Sequence, residues 1–226
     1  LEGGSLTATT KQGALRFLAT VDGASDLTLI AEQAQLYIGG SLGADTALQS
    51  IELEGAQALV LGGDIPLTDQ HLDVFTIAAT ENVLLQSSHS TEIVDGVASI
   101  QGFSSSLDIT AGGDIRVGHN QSLVQLGDLT MTAGGTIEVT DITTQGDLTL
   151  AGADLAVFRR EAMQILLPDG TLIESPQASI VVGGDLLVQA DTITAGGGTG
   201  ESPLFGALGT VTGVDGESVV TPSHFD

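Results

Sequence analysis

Cysteine and tryptophan are absent from this chain, tyrosine occurs once (Tyr37), and aromatic residues make up only 3% of the sequence. Without cysteine there are no disulfides, no thiolate metal sites and no thiol nucleophile. With 42% hydrophobic residues and so few rings, a core must be built from Val, Ile, Leu and Ala. Positive charge is nearly missing too. Lys11, Arg16, Arg116, Arg159 and Arg160 stand against 29 acidic residues, for a formal charge of −24. Such a surface repels phosphate backbones and anionic lipid, so no nucleic-acid partner is expected. No apolar run reaches the ~18 residues of a membrane span, so no membrane insertion is expected either. A polyanion of this density attracts divalent cations or basic partners, and it equally keeps a β-rich surface soluble. The start, Leu1-Glu2-Gly3-Gly4, has neither an initiator Met nor a basic-then-apolar signal region, and reads as an excised or processed segment.

Repetition is what the chain has in abundance. One unit runs Gly127-Asp128-Leu129-Thr130-Met131-Thr132-Ala133-Gly134-Gly135-Thr136-Ile137-Glu138-Val139. Variants lie upstream at Leu107 to Val117 and downstream at Gly146 to Val157 and Ser179 to Val188. Aligning first apolar residues on Leu27, Ile51, Ile77, Leu107, Leu129, Leu148 and Ile180 gives a unit of about 19 to 24 residues, with longer spacings carrying insertions. That is too short for a propeller blade, and the Leu/Asn framework of leucine-rich repeats is missing. Leu129 and Met131 alternate with Thr130 and Thr132, and Ile137 and Val139 flank Glu138, which is the period-two signature of a half-buried strand. Stacked coils would turn these inward rows into aliphatic ladders that no single coil could bury alone. The fold expected is all-β, a parallel β-helix.

The corners between strands are glycine pairs, expected to supply positive φ at sharp bends. The Asp after the pair can accept backbone N–H bonds. In register, such carboxylates would lie ~5 Å apart and repel by about 1 kcal/mol in water. Because Thr136 and Ala153 interrupt the row, a staggered arrangement is expected, with bridging cations as the other solution.

Val21-Asp22-Gly23-Ala24-Ser25-Asp26-Leu27-Thr28-Leu29, Gly39-Gly40-Ser41-Leu42-Gly43 with Leu48-Gln49-Ser50-Ile51-Glu52-Leu53, and the later Ala-Gly-Gly-Asp-Ile units resemble the repeat regions of large bacterial exoproteins of the filamentous-haemagglutinin type. The resemblance covers roughly residues 21 to 195. It implies a right-handed parallel β-helix solenoid in an adhesive or matrix fibre, secreted to the extracellular space or cell surface. The partners it implies are flanking repeats or copies of itself, and a host-surface or matrix ligand.

Motifs for chemistry are few. Parallel β-helices also host polysaccharide lyases and hydrolases, but sugar sites usually offer aromatic platforms, which this chain lacks. His71, His89, His119 and His224 show no metal-ligand spacing. Neither a Gly-x-Ser-x-Gly elbow nor a phosphate-binding Gly loop occurs. Gly39-Gly40-Ser41-Leu42-Gly43-Ala44-Asp45 resembles the calcium-roll nonapeptide with one residue inserted, and Gly197-Gly198-Thr199-Gly200-Glu201 lacks its Asp. Neither recurs in tandem, so no catalytic residue and no cofactor is expected, with Ca2+ as the ion to test. The alternatives to a fibre segment are a carbohydrate-active β-helix enzyme and an acidic matrix protein that binds divalent cations.

The most distinctive interruption is residues 158–178. Arg159, Arg160 and Glu161 precede two apolar runs joined by Pro168-Asp169-Gly170, a strong turn signal, so a projecting hairpin is expected. Arg159, Arg160, Glu161 and Asp169 are the candidate partner contacts; the arginines could equally neutralise acids on neighbouring coils. The solenoid is expected over 1–195. Residues 196–226, with Gly196-Gly197-Gly198, Pro203 and Pro222, read as a terminal coil, a cap or a linker.

Overall fold

A computed structural model describes residues 4–62, 74–87, 100–118, 121–158, 164–166, 172–174, 179–196, 204–207 and 211–213. Among these there is no helix. The strands form three stacks in which every pairing is parallel, two of eight strands and one of six. The first face is built from Leu6–Thr10, Leu27–Ala31, Ile51–Gly55, Val83–Gln86, Ile115–Val117, Thr136–Val139, Asp154–Phe158 and Thr192–Gly196. The second runs from Leu15–Phe17 through Gln35–Ile38, Ala58–Leu61, Ile100–Gly102, Ser122–Gln125, Asp141–Thr144 and Ser179–Val182 to Leu204–Ala207. The third comprises Val74–Ala79, Ser106–Ala111, Asp128–Ala133, Leu148–Ala151, Leu186–Gln189 and Val211–Gly213. The chain visits the faces in rotation and returns one strand higher each time. This is the path of a parallel β-helix.

Period-two sequence becomes period-two burial. Leu27–Ala31, Ile51–Gly55 and Leu148–Ala151 alternate buried and half-buried residues. Because neighbouring strands pair in register, the buried rows stack into columns. Phe75, Leu107, Leu129, Leu148 and Leu186 superpose on the third face, with Ile77, Ile109, Met131 and Leu150 beside them. Leu27, Ile51, Val83, Ile115, Ile137 and Leu155 do the same on the first face. Leu36, Leu59, Ile100, Leu123, Ile142 and Ile180 do so on the second. All of these are buried and belong to one apolar cluster. Truncating any one of them would open a hole that its fixed neighbours above and below cannot fill.

The residues aligned above as equivalent belong to different faces. Leu27 and Ile51 lie on the first, Leu107, Leu129 and Leu148 on the third, and Ile180 on the second. The texture of one strand resembles that of the next, so alignment by apolar residue slips between faces. The looser spacing of the amino-terminal half has its own cause. Its first two coils have no full strand on the third face; Val21 bridges to Leu42, and Leu42 and Leu48 bridge to Ile77 and Ala79. Beyond residue 195, Leu204–Ala207 pairs with Ser179–Val182 and Val211–Gly213 with Leu186–Gln189, extending the second and third faces.

The insertion leaves the first face after Phe158 and rejoins the second at Ser179. Within it Gln164–Leu166 and Leu172–Glu174 form an antiparallel pair, with Ile165 opposite Ile173, as a separate two-stranded sheet.

Candidate functional site

The recurrent polar element is the Gly-Asp corner, and its geometry differs from the expectation of positive φ. Among the described residues, left-handed glycines are Gly13, Gly23, Gly43 and Gly62, all in the amino-terminal coils. The repeat glycines Gly112, Gly113, Gly134, Gly135, Gly183 and Gly184 are not among them. Their glycine identity answers to close approach. A Cβ on the first of each pair would strike a backbone carbonyl of the coil below: Thr80 for Gly112, Gly112 for Gly134, Gln145 for Gly183. A Cβ on the second would strike a side-chain oxygen instead: Asn82 for Gly113, Asp114 for Gly135, Asp147 for Gly184. Gly146 stands in the same relation to Asp128.

Those side-chain oxygens reach upward to the next coil. Asp147 donates its N–H to Asp128 Oδ1 at 2.8 Å, 19 residues away, and Asp185 donates to Asp147 Oδ1 at 2.8 Å, 38 residues away. At the corner between the third and first faces, Asp114 donates to Asn82 Oδ1 at 2.8 Å and Thr136 to Asp114 Oδ1 at 2.9 Å. In the amino-terminal coils Asp22 Oδ1 accepts from the N–H of Asp45 (2.8 Å) and of Thr46 (3.3 Å). The backbone between coils thus gains a second ladder, made of side chains.

This corrects the expectation of staggering at one corner and bears it out at the other. Asp114 sits between Asn82 and Thr136, so the charge is interrupted there. Asp128, Asp147 and Asp185 are stacked on successive coils without interruption. The N–H groups of Asp147 and Asp185 each bind the carboxylate below, which offsets part of the repulsion, while the Asp128 N–H binds the Ser105 carbonyl. Among the described residues no group of three or more His, Asp and Glu is placed to hold a metal ion. The calcium-roll look-alike serves the coil instead: Leu42 bridges the third face and the N–H of Asp45 is bound by Asp22.

Other outward side chains form small local networks. Arg116 lies 3.1 Å from Asp114 on its own coil and 3.3 Å from Glu138 on the next, with its side chain 53% exposed. Asp26 accepts from the Ser50 hydroxyl at 2.6 Å and from Ser5 at 3.3 Å. The Arg16 guanidinium lies 5.3 Å from the centre of the Tyr37 ring, and Tyr37, Ala58 and Val60 form a small buried cluster on the outside of the second face with Phe103 against it.

Sequence reasoning missed the polar residues inside the coil. Gln125 occupies an inward position at the end of Ser122–Gln125, between Gly102 below and Thr144 above, and donates to the Ser104 carbonyl at 2.7 Å. Gln121 bonds both the N–H (2.9 Å) and the carbonyl of Ser87. Ser87 Oγ, Ser104 Oγ, Gln125 Oε1 and Thr140 Oγ1 are buried without a hydrogen-bond partner. The signal was available: a Gln at a position where period two demands an aliphatic side chain.

Of the candidate contacts, Arg159, Arg160, Glu161 and Asp169 lie outside the described residues, as do His71, His89, His119 and His224. An open hollow of about 300 Å³ lies where the third face ends, lined by Thr132, Ala133, Ala151, Gly152, Gln189, Ala190 and Asp191. Asp191 is its one ionisable group, so it holds no acid/base pair. Comparison with family models, with curated proteins and with solved structures finds no match for this chain.

Proposed function

We propose that this chain is a structural, adhesive segment of a secreted, cell-surface fibre protein of the filamentous-haemagglutinin type. The observation that carries the reading is where its polar groups go. The recurrent carboxylates are engaged by backbone N–H groups of the next coil, and the repeat glycines give way to those contacts. The conspicuous residues of the repeat thereby serve stacking. Eight strands on the first face give a rod of roughly 35 to 40 Å at ~4.8 Å per coil. A rod of this kind spaces and presents surface, which suits a fibre, and its partners on this reading are flanking coils, further copies and a host-surface or matrix ligand.

The test is binding of the immobilised chain to cells and extracellular matrix, run beside a screen of acidic polysaccharides for chain cleavage. Saturable binding without cleavage is expected. Catalytic cleavage of a polysaccharide would replace this reading with the carbohydrate-active one. A rise in melting temperature at millimolar calcium would instead favour a cation-binding matrix protein.

A further inference from the structure

We propose that Gln125 acts as a register key. It fixes how the strand Ile100–Gly102 lies beneath Ser122–Gln125, and it contributes to the choice of pairing and not to stability. The proposal goes beyond the fibre reading and does not depend on it, because both strands lie inside the stack, with Ala58–Leu61 below and Asp141–Thr144 above.

Period-two alternation excludes a slip of one residue, which would turn every side chain to the other face. It does not exclude a slip of two, which restores the pattern and re-forms the backbone ladder. Elsewhere a short corner removes that freedom, as where Thr140 alone joins Val139 to Asp141. Ahead of Ile100 the limit is missing, because residues 88–99 stand between Ser87 and Ile100 in the sequence. A connection of that length can give up or take in two residues. The strand it feeds has only three, so its own ladder discriminates weakly.

One inward column supplies what the pattern lacks. It is aliphatic at Ile38, Leu61 and Val182, and departs from that at Gly102, Gln125 and Thr144 between them. A Cβ on Gly102 would strike Gln125 Oε1, so the fully buried amide occupies the room that a side chain there would need. From that place Gln125 donates to the Ser104 carbonyl at 2.7 Å. A slip of two in one direction brings Ile100 beneath Gln125, where its side chain meets the amide. The opposite slip brings Gly102 beneath Leu123 and leaves a hole. Either slip moves the Ser104 carbonyl two residues away and strands a buried amide.

In the observed pairing the glutamine gains little. Gln125 Oε1 and Ser104 Oγ are buried without a partner, and an aliphatic side chain would fill the column as Val182 does. A group that is nearly neutral in the right pairing and costly in the wrong ones serves specificity. At the other end of the same strand Gln121 binds both the N–H and the carbonyl of Ser87. The two glutamines thus mark where the chain leaves the coil and where it resumes.

The test is cysteine cross-linking of the full chain after refolding from denaturant. Gln101→Cys with Val124→Cys reports the observed register, and Gln101→Cys with Ser122→Cys or with Leu126→Cys reports the two slips. Opposite residues on paired strands lie ~4.8 Å apart, within disulfide reach, whereas an offset of two residues places them ~8 Å apart, beyond it. With Gln125 in place, only the Val124 pair is expected to close. Adding Gln125→Leu is expected to raise closure of an offset pair at least ~10-fold while Tm stays within ~4 °C of the parent. Separately, Gly102→Ala is expected to lower Tm in the parent and not in Gln125→Ala, which has vacated the space. A Gln125→Leu chain that closes only the Val124 pair overturns the proposal, as does a larger loss of Tm, which would make the glutamine a stabilising residue. Equal losses from Gly102→Ala in both backgrounds overturn the fit between the two residues.

Discussion

Asp147 is bracketed by like charges, with Asp128 below and Asp185 above, and yet its carboxylate is a working acceptor. Replacing it with Asn keeps the oxygen that binds the Asp185 N–H and removes the charge. Carboxylates ~5 Å apart repel by about 1 kcal/mol each in water, so relief from two neighbours contributes about 2 kcal/mol at low salt. Exchanging a charged acceptor for a neutral one costs about 1 kcal/mol. Asp147→Asn is therefore expected to stabilise the chain by about 1 kcal/mol, a rise in Tm of ~2–4 °C for a chain of this size. The molecule already contains the substitution, because Asn82 makes the same bond to the N–H of Asp114 at 2.8 Å. The gain should vanish in 1 M salt, where the Debye length is ~3 Å. Asp147→Ala gains the same charge relief and loses the bond, so it should lie about 1 kcal/mol below Asn at every salt concentration. Thermal unfolding of the three proteins at low and high salt measures both differences. An Asn variant no more stable than the parent at low salt, or one equal to Ala, refutes the ladder as described.

Other consequences follow from the same geometry. Gly184→Ala and Gly135→Ala place a methyl group where Asp147 and Asp114 oxygens lie, and each is expected to lower stability by about 2 kcal/mol or more, against about 1 kcal/mol for Gly13→Ala, where φ is +82° but space is open. Gln125→Leu removes one bond to Ser104 together with an unpartnered buried oxygen and should change stability by less than ~1 kcal/mol, whereas Gln125→Ala leaves a hole and should cost about 2. Leu129→Ala, between Leu107 and Leu148, is expected to cost ~2–5 kcal/mol, and denaturant unfolding measures it. Arg116→Ala, an exposed pair at a coil corner, should cost less than ~1 kcal/mol.

How much of this was legible depended on whether a residue's role is local. Alternation in Asp128-Leu129-Thr130-Met131-Thr132 is set by one strand, and period two carried it straight to the buried and exposed faces. That the repeat is one coil of a parallel β-helix followed from its length; that the coil has three faces came from the strand pairing. The assignment of strands to faces did not, because Leu107 and Ile115 have the same local texture and only pairing across ~20 to 40 residues separates them. Glycine carried a mixed signal. Gly43 and Gly62 do have positive φ, as turns require, but Gly135 and Gly184 are glycine because of what a different coil places beside them. The stacking of Asp128, Asp147 and Asp185 was hidden for the same reason, since the insertion puts 38 residues between the last two. Gln121 and Gln125 broke the apolar pattern visibly; what they bind inside the coil depends on the neighbouring coil.

Coils stacked in register are the basis of this fold, and the lack of cysteine in the chain makes the stacking directly measurable. Thr7, Glu52, Arg116 and Ala156 lie in one outward column of the first face, two coils apart at each step. Spin labels on cysteines placed pairwise at Thr7 and each of the other three should give distances near ~10, ~19 and ~29 Å, a constant increment at ~4.8 Å per coil although successive sites are 45, 64 and 40 residues apart in sequence. Increments that are unequal, or that follow sequence separation, contradict the stacked coil.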